Sequence, residues 1–373
     1  MKKSLLILFT VILFSCGQSS TTVTSENSGN TTSEKFEIKK GTNVAHWLSQ
    51  SKQRGTERAL FFTKEDVQNI AKMGFDHIRL PIDEVQMWDE NGKRHDDAFL
   101  LLEKGIEWCI ELNLKVVVDL HILRSHYFNA KEKPLWTVPA EQEKFFDLWR
   151  DLSKQLKKFP THMVAYELMN EAVADDHESW NQLVAKAHAA IREIEPTRTI
   201  IIGSNRWQSV DTFDALKVPA NDTNIILSFH FYEPFMLSHY KADWTFLKNY
   251  AGPVSYPGLV LTKENFDKMS KELQSEVEKF VGKDFNKASL FEMWKQPIEK
   301  AKQLNLPLYC GEFGIIVDAP EQSRLNWYRD MMALFEEHGI GYANWNYRSD
   351  NFGLLDGDVR NESLIKIVAG SSN

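Results

Sequence analysis

Between residues 41 and 347 the chain alternates short apolar runs with longer stretches of helical period. The runs are GTNVAHW (41–47), HIRLPI (77–82), KVVVDLH (115–121), MVAYELMNE (163–171), RTIIIGS (198–204), NIILSFHFYEP (224–234), LPLYCGEFGI (306–315) and IGYANWNY (340–347). Most are too apolar to leave one face in water, so they read as strands covered on both sides. Between them lie FTKEDVQNIAKMGF (62–75), DDAFLLLEKGIEWCIELNL (96–114), EQEKFFDLWRDLSKQLKKF (141–159), SWNQLVAKAHAAIREIEP (179–196), LFEMWKQPIEKAKQLN (290–305) and QSRLNWYRDMMALFEEHG (322–339), all of helical period. Thr63 is placed to cap the first, with Glu65 and Asp66 in its opening turn. Buried strands alternating with helices demand a parallel sheet with helices outside it. About eight repeats over the folded length point to a single-domain α/β chain, a (β/α)₈ TIM barrel. A doubly wound open sheet is the alternative, but no Gly-rich fingerprint follows the first strand.

Two segments stand outside the repeat. After the sixth strand, residues 234–286 exceed an ordinary strand-to-helix loop. They hold DWTFLKNYAGPVSYPGL and then KENFDKMSKELQSEVEKFV, read as one amphipathic helix, and are expected to form a lid or subsite wall. At the N-terminus Lys2 and Lys3 precede LLILFTVILF and then Ser15-Cys16, the order of a secretory signal. LFSC resembles a bacterial lipobox, with Phe14 bulkier than usual there. Residues 1–16 are therefore expected to be a lipoprotein-type signal ending in a lipidated Cys16. Residues 17–35, rich in Ser and Thr, are expected to form a flexible tether, and residues 36–370 the barrel domain. This predicts export and a lipid anchor at a bacterial membrane, outer membrane or cell surface, with a monomeric domain beyond it. Cys109 and Cys310 then remain, with neither disulfide-scaffold nor metal-ligand spacing, and read as buried thiols. The net charge of −8 is interspersed rather than blocked, which argues against a nucleic-acid partner.

In a barrel the chemistry sits at the C-terminal ends of the strands. Those ends carry Arg79, His121, Asn170-Glu171, His230 with Tyr232, Glu312 and Trp345. A single polar residue there is only a strand meeting solvent; six strands doing it together describe a site. Two carboxylates on opposite strands can flank a glycosidic bond, one protonated and one ionised. Glu171 is expected to be the acid/base and Glu312 the nucleophile. Arg79, through paired hydrogen bonds, and Tyr232 would hold Glu312 ionised. Asn170 would bind the sugar 2-hydroxyl, His121 and His230 would hold hydroxyls or tune Glu171, and Trp345 would floor the ring. His46, Trp47, Tyr127 and Trp207 are added as substrate-binding positions. About half of Trp88, Trp136, Trp207 and Trp244 are expected to meet substrate, and His126 to line the cleft. Glu167 and Asp119, deeper in their strands, are expected to serve structural hydrogen bonds.

The ordered set of Arg79, His121, Asn170-Glu171, His230-Phe231-Tyr232, Glu312 and Trp345, with GTNVAHWL at the start, resembles glycoside hydrolase family 5, the cellulase family. The resemblance spans about residues 41–347. One departure is Ala172 where that family has Pro, which bears on the loop carrying Glu171. The resemblance implies hydrolysis by double displacement with retention, needing no metal or organic cofactor. Its substrate would be a polysaccharide, first a β-1,4-glucan, with β-mannan, xyloglucan or β-1,3-glucan as alternatives. The reading from another class is a non-catalytic sugar-binding lipoprotein, which would have no reason to keep both carboxylates with their supporting set.

Overall fold

A computed structural model of the chain describes residues 34–348 and 350–370. Cys16 and the expected signal and tether lie outside the described residues, except for the last positions of the tether. Eight parallel strands close into a barrel: β1 (Lys40–Asn43), β2 (His77–Asp83), β3 (Lys115–Ile122), β4 (Val164–Glu167), β5 (Ile200–Gly203), β6 (Ile225–Phe231), β7 (Leu308–Phe313) and β8 (Gly341–Asn344). Each strand pairs with its neighbours in sequence, and β8 returns to β1 through Lys40 opposite Tyr342. The expected (β/α)₈ barrel is thus the fold. The strands are buried along nearly their whole length, because outward residues pack on helices and inward ones on each other.

Side chains alternate along a strand, so every second residue faces the barrel axis. At the lower end the inward positions are apolar. Val117, Ala165, Ile201, Ile226, Tyr309 and Ala343 cluster there, and Phe36 closes the bottom. Two residues further along, the inward positions turn polar with Asp119, Glu167 and Ser228, joined by Arg79, all fully buried. One step higher lie His121 and His230. Strict alternation would face Gly311 inward and Glu312 outward. The register between β6 and β7 instead slips after Phe229–Cys310, so that His230 stands opposite Glu312. This irregularity turns Glu312 into the barrel. Gly311 suits the slip: a Cβ there would lie 3.0 Å from Ser228 Oγ and 3.1 Å from His230 Nε2.

Helices clothe the outside. The first barrel helix, Lys64–Met73, begins with a capping box between Thr63 and Asp66 and ends on Gly74 at φ 98°. Between β5 and β6 there is no full helix, only a short turn at Asn205–Gln208 and a 3₁₀ segment at Val210–Ala215. The insertion after β6 differs from expectation. Its amphipathic stretch is two helices, Lys263–Asp267 and Lys271–Val277, because Ser270 accepts from the Leu273 amide and starts a new helix. A strand pair, Gly258–Leu259 with Asp284–Phe285, ties together the two ends of this helical stretch. Among the described residues no helix is long and apolar enough to cross a membrane.

Candidate active site

Arg79 is the hub. It rises from the middle of β2 into the axis, fully buried, and every nitrogen of its guanidinium is bonded. Nε and Nη2 donate to the two oxygens of Glu167 at 2.7 and 3.1 Å. Nη1 donates to Glu312 Oε1 at 2.7 Å and to Asn43 Oδ1 at 2.9 Å. Nη2 also reaches Asn170 Oδ1 at 2.8 Å and Asp119 Oδ2 at 3.0 Å. The expected paired bonds to Glu312 are therefore corrected. The fork closes on Glu167, and Glu312 receives a single bond. The cause is depth: Arg79 stands level with the polar layer, and Glu312 lies above it. The expected structural role of Glu167 and Asp119 holds.

The other oxygen of Glu312 accepts from Tyr232 Oη at 2.9 Å. Glu171 follows β4 with φ 47°, a left-handed backbone that an ordinary residue adopts only when its surroundings hold it. Its Oε1 lies 3.0 Å from His230 Nδ1. A carboxylate oxygen from each glutamate and a ring nitrogen of His230 all fall within 4.8 Å of one another. Such spacing would also suit a cation, but Arg79 and Tyr232 already bind both oxygens of Glu312, and the Arg79 charge beside them disfavours a second positive ion.

Burial decides the electrostatics. It drives the Glu171 carboxyl well above the usual carboxylate range, and the Glu312 charge pushes the same way. Burial also raises Glu312, but there Arg79, His121 and the Tyr232 hydroxyl oppose it. Burial works against the Arg79 cation, yet Asp119, Glu167 and Glu312 hold its pKa well above normal. His230 is driven well below its usual value by burial and then by the Arg79 charge, so its ring is neutral. Burial likewise lowers His121 to about 4 and raises Asp119 to about 7. His121 places Nδ1 2.7 Å from Asp119 Oδ2 and Nε2 3.0 Å from the Gln50 amide. Gln50 is itself left-handed, at φ 50°, and its backbone N–H is held by Asp83 Oδ2 at 2.6 Å.

Trp345 lies over the site, stacked on His121 with ring centroids 5.6 Å apart and planes 10° from parallel. His46 meets it edge-on at 6.3 Å. Tyr127, at 38% exposure, and Trp207, at 44%, present open ring surface. Trp47 does not. It is wholly buried, with its indole N–H donating to the Arg58 carbonyl at 2.8 Å, so its expected substrate role is withdrawn. The chain turns after β1 and carries Trp47 outward onto Phe62 and Gly105. His126 is also corrected: it is buried, and its Nε2 accepts from the Val173 amide at 3.1 Å. Trp88 is buried and donates to Asp151, Trp136 is partly buried, and Trp207 and Trp244 are exposed, so two of the four aromatics remain open to a ligand. From the insertion, Trp244 reaches Phe352 at 6.4 Å, and Phe352 meets Tyr232 at 6.0 Å.

Sequence reasoning missed Asn43, Gln50, Asp83 and Gln208. Asn43 ends β1, where a polar residue at a barrel mouth was signal enough. Gln208 lies in a turn after β5, with no periodicity to mark it.

The chain matches the profile described as Cellulase (glycosyl hydrolase family 5) over residues 32–351. It is 36% identical over 339 residues to endoglucanase C of Acetivibrio thermocellus, across 89% of this chain and 98% of the relative. It is 31% identical over 307 residues to cellodextrinase A of Ruminococcus flavefaciens, across 81% and 83%. A solved endoglucanase structure superposes with a TM-score of 0.72 at 28% identity, covering 90% of this chain and 97% of that one. Thermotoga maritima Cel5A in complex with cellobiose gives 0.70 at 25% identity, covering 89% and 97%.

Proposed function

The chain belongs to glycosyl hydrolase family 5, the cellulases, and we propose that it is a retaining endo-β-1,4-glucanase. It is an endoglucanase-like glycosidase; the double displacement, the roles of single residues and the polymer are the proposal. The observation that carries it is the approach of the Glu171 and Glu312 carboxylates to within 4.8 Å across the barrel mouth. Retaining enzymes hold the pair about 5–5.5 Å apart, too close for a water to fit between carboxylate and sugar.

In the first step a Glu312 oxygen attacks the anomeric carbon as the bond to the leaving oxygen breaks. The Glu171 proton goes to that oxygen, and the departing chain leaves with a free hydroxyl. In the second step Glu171, now ionised, takes a proton from water. The water oxygen bonds to the anomeric carbon, and Glu312 departs as carboxylate. The raised Glu171 pKa supports the acid role, and the bonds from Arg79 and Tyr232 support an ionised Glu312. Asn170 is fixed through Oδ1, and its Nδ2 has no protein partner among the described residues. It would donate to the sugar 2-hydroxyl, a bond that strengthens as the ring gains charge. Trp345 would floor the ring at the cleavage point, with His46, Tyr127 and Trp207 as flanking contacts.

The test is a product assay on β-glucans, mannans, xylans and xyloglucan, reading released oligosaccharides and the anomer first formed. Release of cello-oligosaccharides of mixed length with retained configuration is expected. Release from mannan or xyloglucan alone would transfer the substrate, and an inverted first product would overturn the mechanism. Glu312→Gln should remove nearly all turnover from a folded protein; substantial residual activity would refute the nucleophile. We also propose export and lipidation at Cys16, supported by the order of basic, apolar and small residues at the N-terminus. Cys16→Ser should release the protein from the membrane fraction; unchanged partitioning would refute the anchor.

A further inference from the structure

We propose that Gln208 is a positioning residue for Glu171, locking the acid/base in its left-handed backbone and tying it to the Arg79 network. The proposal rests on Glu171 being the acid/base. Gln208 is buried at 1% exposure, and its amide is used on both sides. Its Oε1 accepts from the Glu171 backbone N–H at 2.9 Å. Its Nε2 donates to Glu167 Oε1 at 3.2 Å and to Ser228 Oγ at 3.1 Å. Glu167 is the residue that Arg79 grips with its fork. One side chain therefore joins the backbone of one catalytic glutamate to the cation that holds the other.

The local backbone is built around this placement. Arg206, Trp207 and Gln208 have φ of 57°, 62° and 52°, three consecutive residues in the left-handed region. That region is disfavoured for any residue with a Cβ, and a run of three persists only where the surroundings enforce it. The enforcement comes from the loop that carries Glu171. The Trp207 amide donates to the Ala172 carbonyl at 3.2 Å. The Asn205 side chain pairs with both backbone groups of Ala174, at 2.9 and 3.0 Å. Room for the side chain comes from Gly203, at the end of β5: a Cβ there would stand 2.3 Å from Gln208 Cγ. The turn after β5 thus serves as a jig for the loop after β4. In this chain that loop has Ala172 rather than a ring-stiffened residue after Glu171.

A positioning role and a merely structural one differ in what they do to leaving groups. A dinitrophenolate departs without a proton, whereas a sugar needs one from Glu171. The experiment compares kcat/KM, which reports the glycosylation step, for dinitrophenyl β-cellobioside and for cellotetraose. Glu171→Ala is the reference, Gln208→Leu the test. Gln208→Leu is expected to lower kcat/KM on cellotetraose roughly tenfold or more beyond whatever it loses on the aryl glycoside. Their ratio within one preparation does not depend on the fraction folded. Should the Leu variant give no active protein, Gly203→Ala displaces the Gln208 side chain with the sequence at 208 intact, and the same split is expected. Equal loss on both substrates, or no loss on either, would overturn the proposal. If Glu171→Ala itself fails to separate the two substrates, the acid/base reading falls instead.

Discussion

Arg79 holds Glu167 with two hydrogen bonds and Glu312 with one. The two-bond contact of this cation thus goes to a carboxylate below the reacting plane. Glu167 fixes the guanidinium plane, and the remaining Nη1 is left aimed at Glu312. This needs a rigid planar fork, which lysine lacks. Arg79→Lys should therefore lower kcat/KM by about a hundredfold or more, the scale of losing one aimed donor in a buried site. It should also lower Tm, since Glu167 and Asp119 would keep their burial and lose part of their pairing. Steady-state kinetics with thermal unfolding tests both; a lysine variant near wild type would refute the fork.

Asp119 gives a pH prediction with a sign. Its charge raises Glu171 and Glu312 alike, but its own carboxyl titrates at about 7. Below that pH it is largely protonated and repels neither. Above it the charge is present and opposes ionisation of Glu171. Asp119→Asn should move the alkaline limb of kcat/KM to lower pH and leave the acid limb nearly in place. A pH profile on one soluble substrate decides this, and an alkaline limb that stays or moves upward would contradict it.

Glu171 should also cost stability in alkali. An unfolded glutamate ionises near ~4.3, whereas folded Glu171 keeps its proton well above that. Across this window the folded chain holds a proton that the unfolded chain has released. The contribution of the group is therefore full in acid and declines as pH rises toward the folded value. Glutamine cannot ionise. The Tm difference between Glu171→Gln and wild type should be small near pH ~4 and grow in favour of the variant as pH rises through the window. A difference flat with pH would mean that Glu171 is not held protonated.

The barrel was legible because its strands are apolar on both faces, and each strand ends where its apolar run meets a polar residue. Glu171, Glu312, Tyr232 and His230 come together as their positions imply. What the sequence hid was depth and curvature. Arg79 sits mid-strand, so its fork meets Glu167 before Glu312. Glu312 faces inward only through a slip beside Gly311, and no alternation rule foretells a slip. Gln208 and Gln50 act through left-handed turns whose residues carry no glycine to announce them. His126 and Trp47 follow strand ends, as site residues do, yet the chain bends away and buries them.

Trp47 and Trp207 make the last contrast testable. Both follow barrel strands and looked alike as platforms for sugar, but Trp47 is at 0% exposure and Trp207 at 44%. Trp47→Ala removes a packed ring and orphans the Arg58 carbonyl. It should cost about 3–5 kcal/mol of stability, while the folded fraction keeps its KM. Trp207→Ala removes exposed surface and should leave Tm within about a degree, since surface changes seldom exceed ~0.5 kcal/mol. Its effect should fall on binding, raising KM for long glucans several-fold and that for a short aryl glycoside little. Chemical denaturation and chain-length kinetics on the two variants check the pair. A Trp207 variant that unfolds early, or a Trp47 variant with altered KM and normal stability, would reverse the assignment.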